Sequence, residues 1–71
     1  MNIKVFKNFL TEKNIKIPEL AESMGINRST LYRKIQKDGE AFSIREMNQI
    51  IEITGMNKSE AAEIFFNEKL A

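Results

Sequence analysis

The feature that most constrains the fold is a glycine between two short amphipathic segments. Gly25 follows a segment with Pro18 near its start, and Asn27 opens the next one. Proline is tolerated only in the first turn of a helix, and glycine adopts at low cost the left-handed backbone that ends one. Asparagine caps the free N–H groups of a helix that follows it. The pattern therefore predicts two short helices, one over residues 17–24 and one from the cap Asn27 to about Gln36, joined by the turn Gly25-Ile26-Asn27.

Two short helices joined by such a turn have the geometry of a helix-turn-helix, in which the first helix braces the second at a steep angle. The brace requires small and apolar side chains where the helices cross. Ala21 is the small residue that permits a close approach, and the full set, in chain order, is Leu20, Ala21, Met24, Ile26, Leu31 and Ile35. We therefore expect a helix-turn-helix over residues 17–37.

Helical spacing of apolar residues continues outside this segment, and no run of alternating β-branched residues suggests a strand. A first helix is expected from the N-cap Asn2 to about Lys13 and Asn14. With 71 residues, the chain has enough length for one small core. We therefore expect one all-α domain of five helices over residues 1–71, with the helix-turn-helix formed by the second and third.

Clear capping signals mark the start of the fourth helix. Ser43 and Glu46 have the spacing of a capping box, in which each side chain binds the backbone N–H of the other residue. Gly55 ends this helix, and its inward residues are predicted to be Ile44, Met47, Ile50 and Ile51. The fifth helix opens at Asn57 or Ser59 and directs Ala61, Ile64 and Phe65 inward.

Residue types exclude several classes of function. The chain has neither histidine nor cysteine, which removes the commonest metal ligands and general bases. The acidic residues lie at spacings typical of caps and solvated helix faces. We therefore predict no enzyme activity, no catalytic residues, no metal and no cofactor, and no small-molecule ligand because a ligand domain has no room. No apolar run approaches the ~20 residues of a membrane span, and the expected location is cytoplasmic.

Positive charge is concentrated in one part of the chain. Residues 23–37 carry two arginines, two lysines and no acid, a net charge of +4, whereas residues 38–71 have a net charge of −4. A basic stretch taken alone is either an ordinary solvated face or a surface for nucleic acid. Lys34 and Lys37 also suit the negative end of the helix dipole, which is a structural reason for part of the charge.

The residues of this segment resemble a known family. From Pro18 to Ile35, the sequence PELAESMGINRSTLYRKI is similar to the helix-turn-helix of lambda repressor and Cro-like (Xre-type) transcriptional regulators. The carboxyl part, with Gly55 followed by EAAEIFF at residues 60–66, also resembles short Cro-like regulators of phages and integrated elements. The resemblance implies a transcriptional regulator that binds double-stranded DNA near the nucleoid of a bacterium or phage-infected host.

The family places the third helix in the major groove. With Leu31 and Ile35 facing the core, a rotation of 100° per residue places Ser29, Arg33, Gln36 and Lys37 on the opposite side. The predicted base readers are Arg28 and Arg33, because a guanidinium can donate two hydrogen bonds to guanine, and Ser29, whose hydroxyl can accept or donate. The predicted backbone or secondary contacts are Lys16, Asn27, Tyr32, Lys34, Gln36 and Lys37.

Position by position, the base-contacting sites of the family match Asn27, Arg28, Ser29 and Arg33. One position departs from the pattern, because Ile17 stands where many members have Gln or Thr. Any contact from that end of the second helix is therefore expected from Lys16. Asn27 is a helix cap first and a DNA contact second.

The resemblance also implies a homodimer on a palindromic operator. Its expected surface is a second apolar line on the fifth helix, formed by Ala62, Phe66 and Leu70, although Phe66 and Leu70 could instead close the core against the first helix. The alternative function is a helix-turn-helix used mainly for protein contacts, as in an antitoxin-like or adaptor module. The acidic carboxyl part is compatible with either function.

Overall fold

The computed structural model describes residues 1–37 and 42–66. In these ranges the chain forms five α-helices and no strand: α1 (Ile3–Glu12), α2 (Ile17–Met24), α3 (Arg28–Gln36), α4 (Ile44–Thr54) and α5 (Lys58–Phe66). The all-α, five-helix expectation is confirmed, and α2 and α3 form the helix-turn-helix. None of the described helices is both long and apolar enough to cross a membrane.

The helix-turn-helix is held by a closely packed interface between α2 and α3. Leu31 is fully buried, and Ile35 is 3% exposed one helical turn later. Ala21 of α2 is also buried, and its small side chain leaves room for the second helix. Gly25 ends α2 at φ 72°, in the left-handed region that favours glycine. The predicted bracing residues are thus buried in the core, except Ile26, which is half-buried.

Helices α1 and α5 close the other side of the core. The rings of Phe6 and Phe65 lie with their centroids 6.4 Å apart at an interplanar angle of 42°. Asn2 has two roles here, since its side chain caps α1 by accepting from the N–H of Val5, and its own N–H donates to the carbonyl of Ile64 at 2.7 Å. The amino terminus is therefore fastened to α5 by both packing and a backbone hydrogen bond.

Reciprocal side-chain caps start the last two helices. In α4, the N–H of Ser43 donates to Glu46 Oε1 at 2.9 Å and the N–H of Glu46 donates to Ser43 Oγ at 3.1 Å, which confirms the capping box. In α5, Asn57 and Glu60 make the same exchange at 2.8 and 2.9 Å. The residue that opens α5, left undecided between Asn57 and Ser59, is therefore Asn57, which caps the helix together with Glu60.

The expectation that Ile44 faces the core is wrong, because its side chain is 76% exposed. The inward side of α4 is centred on Ile50, which is fully buried, and on Thr54, which is 8% exposed. At 100° per residue, Ile44 lies about 120° around the helix from Ile50. Thr54 can occupy the core because its hydroxyl donates to the carbonyl of Ile50 at 2.7 Å. The buried side of α4 therefore includes the polar Thr54 and leaves Ile44 outside the core.

Candidate nucleic-acid interface

The outer face of α3 is exposed and carries no acidic side chain. Burial of Leu31 and Ile35 on one side of this helix leaves the four predicted outward residues exposed: Ser29, Arg33, Gln36 and Lys37. Tyr32, on the flank, is 44% exposed. The outer face therefore presents cations and neutral hydrogen-bonding groups to solvent, a composition suited to an anionic, polar surface.

One side of this face forms a shallow basic groove. Its lining residues lie three and four positions apart on the helix and are Thr30, Arg33, Lys34 and Lys37. Nη2 of Arg33 donates a long hydrogen bond of 3.5 Å to the hydroxyl oxygen of Thr30, which also lines the groove. The structure thus brings together three of the cations in the basic stretch.

Arg28 lies elsewhere. It is exposed at the first position of α3 and lines a different shallow groove between the starts of α2 and α3, together with Pro18, Glu22 and Asn27. On the helix, Arg28 and Arg33 are separated by about 140° of rotation. The two arginines among the predicted base readers therefore lie on different sides of α3 and line different grooves. Lys16 is exposed just before α2.

The amino-terminal end of α3 is organised by Asn27. Its side-chain oxygen accepts a hydrogen bond from the backbone N–H of Ser29 at 2.9 Å and another from the hydroxyl of Ser29 at 2.8 Å. The predicted capping role of Asn27 is confirmed. Because Asn27 and Ser29 are both exposed, the cap also fixes two polar groups on the candidate interface.

Lys34 is engaged within the protein. Its ammonium lies 2.9 Å from both carboxylate oxygens of Glu46 in the first turn of α4, and 5.8 Å from the centre of the Phe42 ring. The two charged side chains are only about a fifth exposed, at 20% and 18%. This ion pair joins the carboxyl half of α3 to α4, so Lys34 positions the helix even though it also lines the basic groove.

The carboxyl group of Glu46 has a pKa below its ordinary value of 4.5. The main cause is the hydrogen bond from the backbone N–H of Ser43, followed by the hydrogen bond from Lys34, and partial burial opposes both. Folding therefore favours the ionised carboxylate. The contribution of the Glu46 carboxylate to the free energy of unfolding is complete at pH values above its unfolded-state pKa. This contribution is lost as pH falls through the folded-state pKa.

Two residues of this surface were not predicted from the sequence. Thr30 contacts Arg33 from one turn away, and Glu46 pairs with Lys34 from the next helix. The spacing of three between Thr30 and Arg33 was a usable signal, since such residues are neighbours on a helix. No local pattern indicates the pairing of residues 34 and 46, because it depends on how α4 packs.

The predicted dimer residues differ in exposure. Phe66 is 64% exposed and so does not close the core, whereas Ala62 is half-buried and Leu70 lies outside the described residues. Phe66 lines an apolar groove between α4 and α5 together with Ile44, Met47, Asn48, Ile51 and Phe65.

Within the described part of the chain, no group of three or more metal-ligating side chains comes together.

Comparison with protein families gives a match over most of the chain. The family model of the Cro/C1-type helix-turn-helix DNA-binding domain matches residues 5–66, from the third residue of α1 to the end of α5. No curated protein and no solved structure shows significant similarity to the chain.

The ion pair between Lys34 and Glu46 predicts a pH-dependent loss of stability. Glu46→Gln retains an oxygen for the cap but removes the charge, so it should lower the free energy of unfolding by about 1 kcal/mol near neutral pH. The deficit should vanish as pH falls through the folded-state pKa of Glu46, where the wild type is protonated too. Urea titrations of the wild type and Glu46→Gln at several pH values across this range measure the difference in free energy of unfolding.

The matched control is Glu52→Gln, because Glu52 is an exposed residue of the same helix. Lys34→Met should cause a loss similar to that of Glu46→Gln, and the double variant should lose less than the sum of both. Additive losses in the double variant would show that Lys34 and Glu46 do not stabilise each other.

Proposed function

Since the chain belongs to the Cro/C1-type helix-turn-helix family and is thus a DNA-binding domain, we propose that it is a sequence-specific transcriptional regulator. It binds double-stranded DNA by placing α3 in the major groove, and it represses transcription by occupying a palindromic operator as a homodimer. Each half-site of the operator is read by one copy of the chain. Two such copies would place their recognition helices about 34–36 Å apart.

The observation that carries this proposal is the asymmetry of α3. Its inner side is buried on α2 through Leu31 and Ile35, and its outer side exposes arginine, lysine, serine and glutamine without an acid. A solvated face with no partner usually mixes both signs of charge. A continuous basic and neutral polar face on a braced helix instead matches the phosphates and base edges of a major groove.

The side chains have different roles in this proposal. Arg33, central on the outer face, reads guanine, and Arg28 reaches a base from the amino-terminal flank. Ser29 contacts a base edge next to Arg33. Lys16, Tyr32, Gln36 and Lys37 contact phosphate or sugar and set the position of the helix without specifying sequence. Lys34 contributes to the positive potential of the groove while its ion pair with Glu46 holds α3 in place.

The homodimer forms through the apolar groove between α4 and α5, with Phe66 and Ile44 as its exposed apolar members. These two side chains are 64% and 76% exposed, although both are large and apolar. We assign the predicted dimer residues Ala62 and Leu70 to the same dimer surface. An exposed apolar surface of this kind marks a protein contact more often than an isolated apolar residue does.

A second copy of the chain is the occupant that the position of this groove favours. Ile44 lies in the first turn of α4, two residues before Glu46, and Glu46 contacts the helix proposed to read DNA. A two-fold contact at Ile44 therefore links the two recognition helices through one turn of α4 and one ion pair in each copy. Such a short connection fixes their separation, as binding to two half-sites requires.

Selection of duplexes from a randomised pool tests the function. The selected duplex and a scrambled control are then titrated by fluorescence anisotropy at two salt concentrations. We expect a palindromic duplex, bound about 10³-fold more tightly than the control. Weak binding that is equal for both duplexes and abolished by modest salt would contradict sequence-specific regulation and would favour a helix-turn-helix used for protein contacts.

Arg33→Ala and Lys37→Ala should have distinguishable effects on the selected duplex. Arg33→Ala removes a base contact, so it should relax the preference at one base pair by roughly 10-fold. Lys37→Ala removes a phosphate contact, so it should weaken all duplexes alike and lower the slope of log affinity against log salt by about one unit. Equal losses for both variants on every duplex would contradict these roles.

Ile44→Ser tests the dimer surface with little risk to the fold, because Ile44 is exposed. It should lower affinity for the duplex with two half-sites by about 10-fold and remove cooperativity, while leaving affinity for a single half-site unchanged. Ile53→Ser is the matched control, since Ile53 is also a partly exposed isoleucine of α4 but does not line the groove. Unchanged cooperativity in Ile44→Ser would exclude this groove as the dimer surface.

A further inference from the structure

The hydrogen bonds at the start of α3 fix which polar groups of Asn27 face solvent. The backbone N–H of Ser29 lies 2.9 Å from Oδ1 of Asn27. A backbone N–H can only donate, so the atom facing it must be the amide oxygen and not the amide nitrogen. The orientation of the Asn27 amide therefore follows from its capping role.

The same oxygen determines the direction of the Ser29 hydroxyl. Oγ of Ser29 lies 2.8 Å from Oδ1 of Asn27. An amide oxygen carries no hydrogen, so the hydroxyl must donate its proton in this contact. Ser29 can therefore offer a ligand only the two acceptor positions on its Oγ. The oxygen of Asn27 already accepts two hydrogen bonds, so Asn27 can offer a ligand only the two N–H donors of its amide nitrogen.

The amino-terminal end of α3 thus presents a donor next to an acceptor on two exposed side chains. In the major groove, adenine presents the N7 acceptor next to the N6 amino donor, which is the complementary order. Guanine presents two acceptors, N7 and O6, and its O6 would face the lone pairs of Ser29. Thymine presents only the O4 acceptor and a methyl group, and cytosine presents only an amino donor.

We infer that Asn27 and Ser29 together specify one adenine in the DNA site, with Asn27 donating to N7 and Ser29 accepting from the N6 amino group. Two residues then make the paired contact that a single asparagine side chain commonly makes. Asn27 cannot do so alone, because its oxygen is committed to the helix cap. This inference rests on the proposed function, since it requires α3 to lie in the major groove.

The test uses the full chain and the selected duplex. Each base pair of a half-site is replaced in turn, and the wild type and Ser29→Ala are titrated against every duplex. We expect one A·T pair at which the wild type loses about 10-fold or more on replacement. Ser29→Ala should lose the preference for adenine over guanine at that position alone. It should still prefer a purine there, because the backbone N–H at position 29 still holds Asn27 in place to donate to N7.

Base analogues at this adenine separate the two contacts. Purine, which lacks the N6 amino group, should weaken the wild type by about the same factor as Ser29→Ala does and should leave Ser29→Ala unaffected. The analogue 7-deazaadenine, which lacks N7, should weaken both proteins. Ser29→Thr keeps a hydroxyl and should keep the preference, and Ser59→Ala, at an exposed serine of α5, is the matched control.

The outcomes distinguish this inference from the function on which it rests. If the wild type selects a specific duplex but Ser29→Ala keeps every base preference, or if its one altered position prefers G·C or T·A, the adenine assignment is overturned. Equal sensitivity of both proteins to purine would also overturn it. If the wild type shows no sequence preference, the proposed function itself fails, together with the inference.

Discussion

The packing of α3 on α2 is the contact on which the rest of the structure depends. Leu31 and Ile35 bury one side of a nine-residue helix that is too short to be stable alone, and Ala21 allows α2 to approach closely. Because an α-helix is rigid, burial of these two side chains also determines which residues point outward. The same contact thus stabilises the helix and orients the side chains that α3 contributes to the candidate interface.

Some charged and hydrogen-bonding groups of α3 make contacts within the protein, and the others remain available to a ligand. Lys34 is held by Glu46, and the oxygen of Asn27 is held by Ser29, so neither group has its full capacity for DNA. These contacts also hold α3 at both of its ends, through a cap at the start and an ion pair near the end. A recognition helix held at both ends loses less conformational freedom when it binds DNA, which favours affinity.

Sequence patterns gave a good account of the fold where the signals are local. The left-handed glycines at 25 and 55 and the caps at Asn27 and Ser43 depend on residues within one turn, and the structure agrees with all four. The patterns failed at Ile44, because apolar spacing alone does not show that Thr54 takes a place in the core. They also missed the pairing of Lys34 with Glu46, which joins two different helices.

The sequence by itself determined the helices, their caps, the turn and the outward set of α3, because each depends on the spacing of residues close in the chain. Only the tertiary structure decided that Lys34 is paired, that Arg28 lines a groove formed with α2 while Arg33 lines another, and that Phe66 and Ile44 share an exposed groove. These features depend on the rotation and approach of whole helices. That geometry is set by the summed packing of the core, which no short sequence pattern encodes.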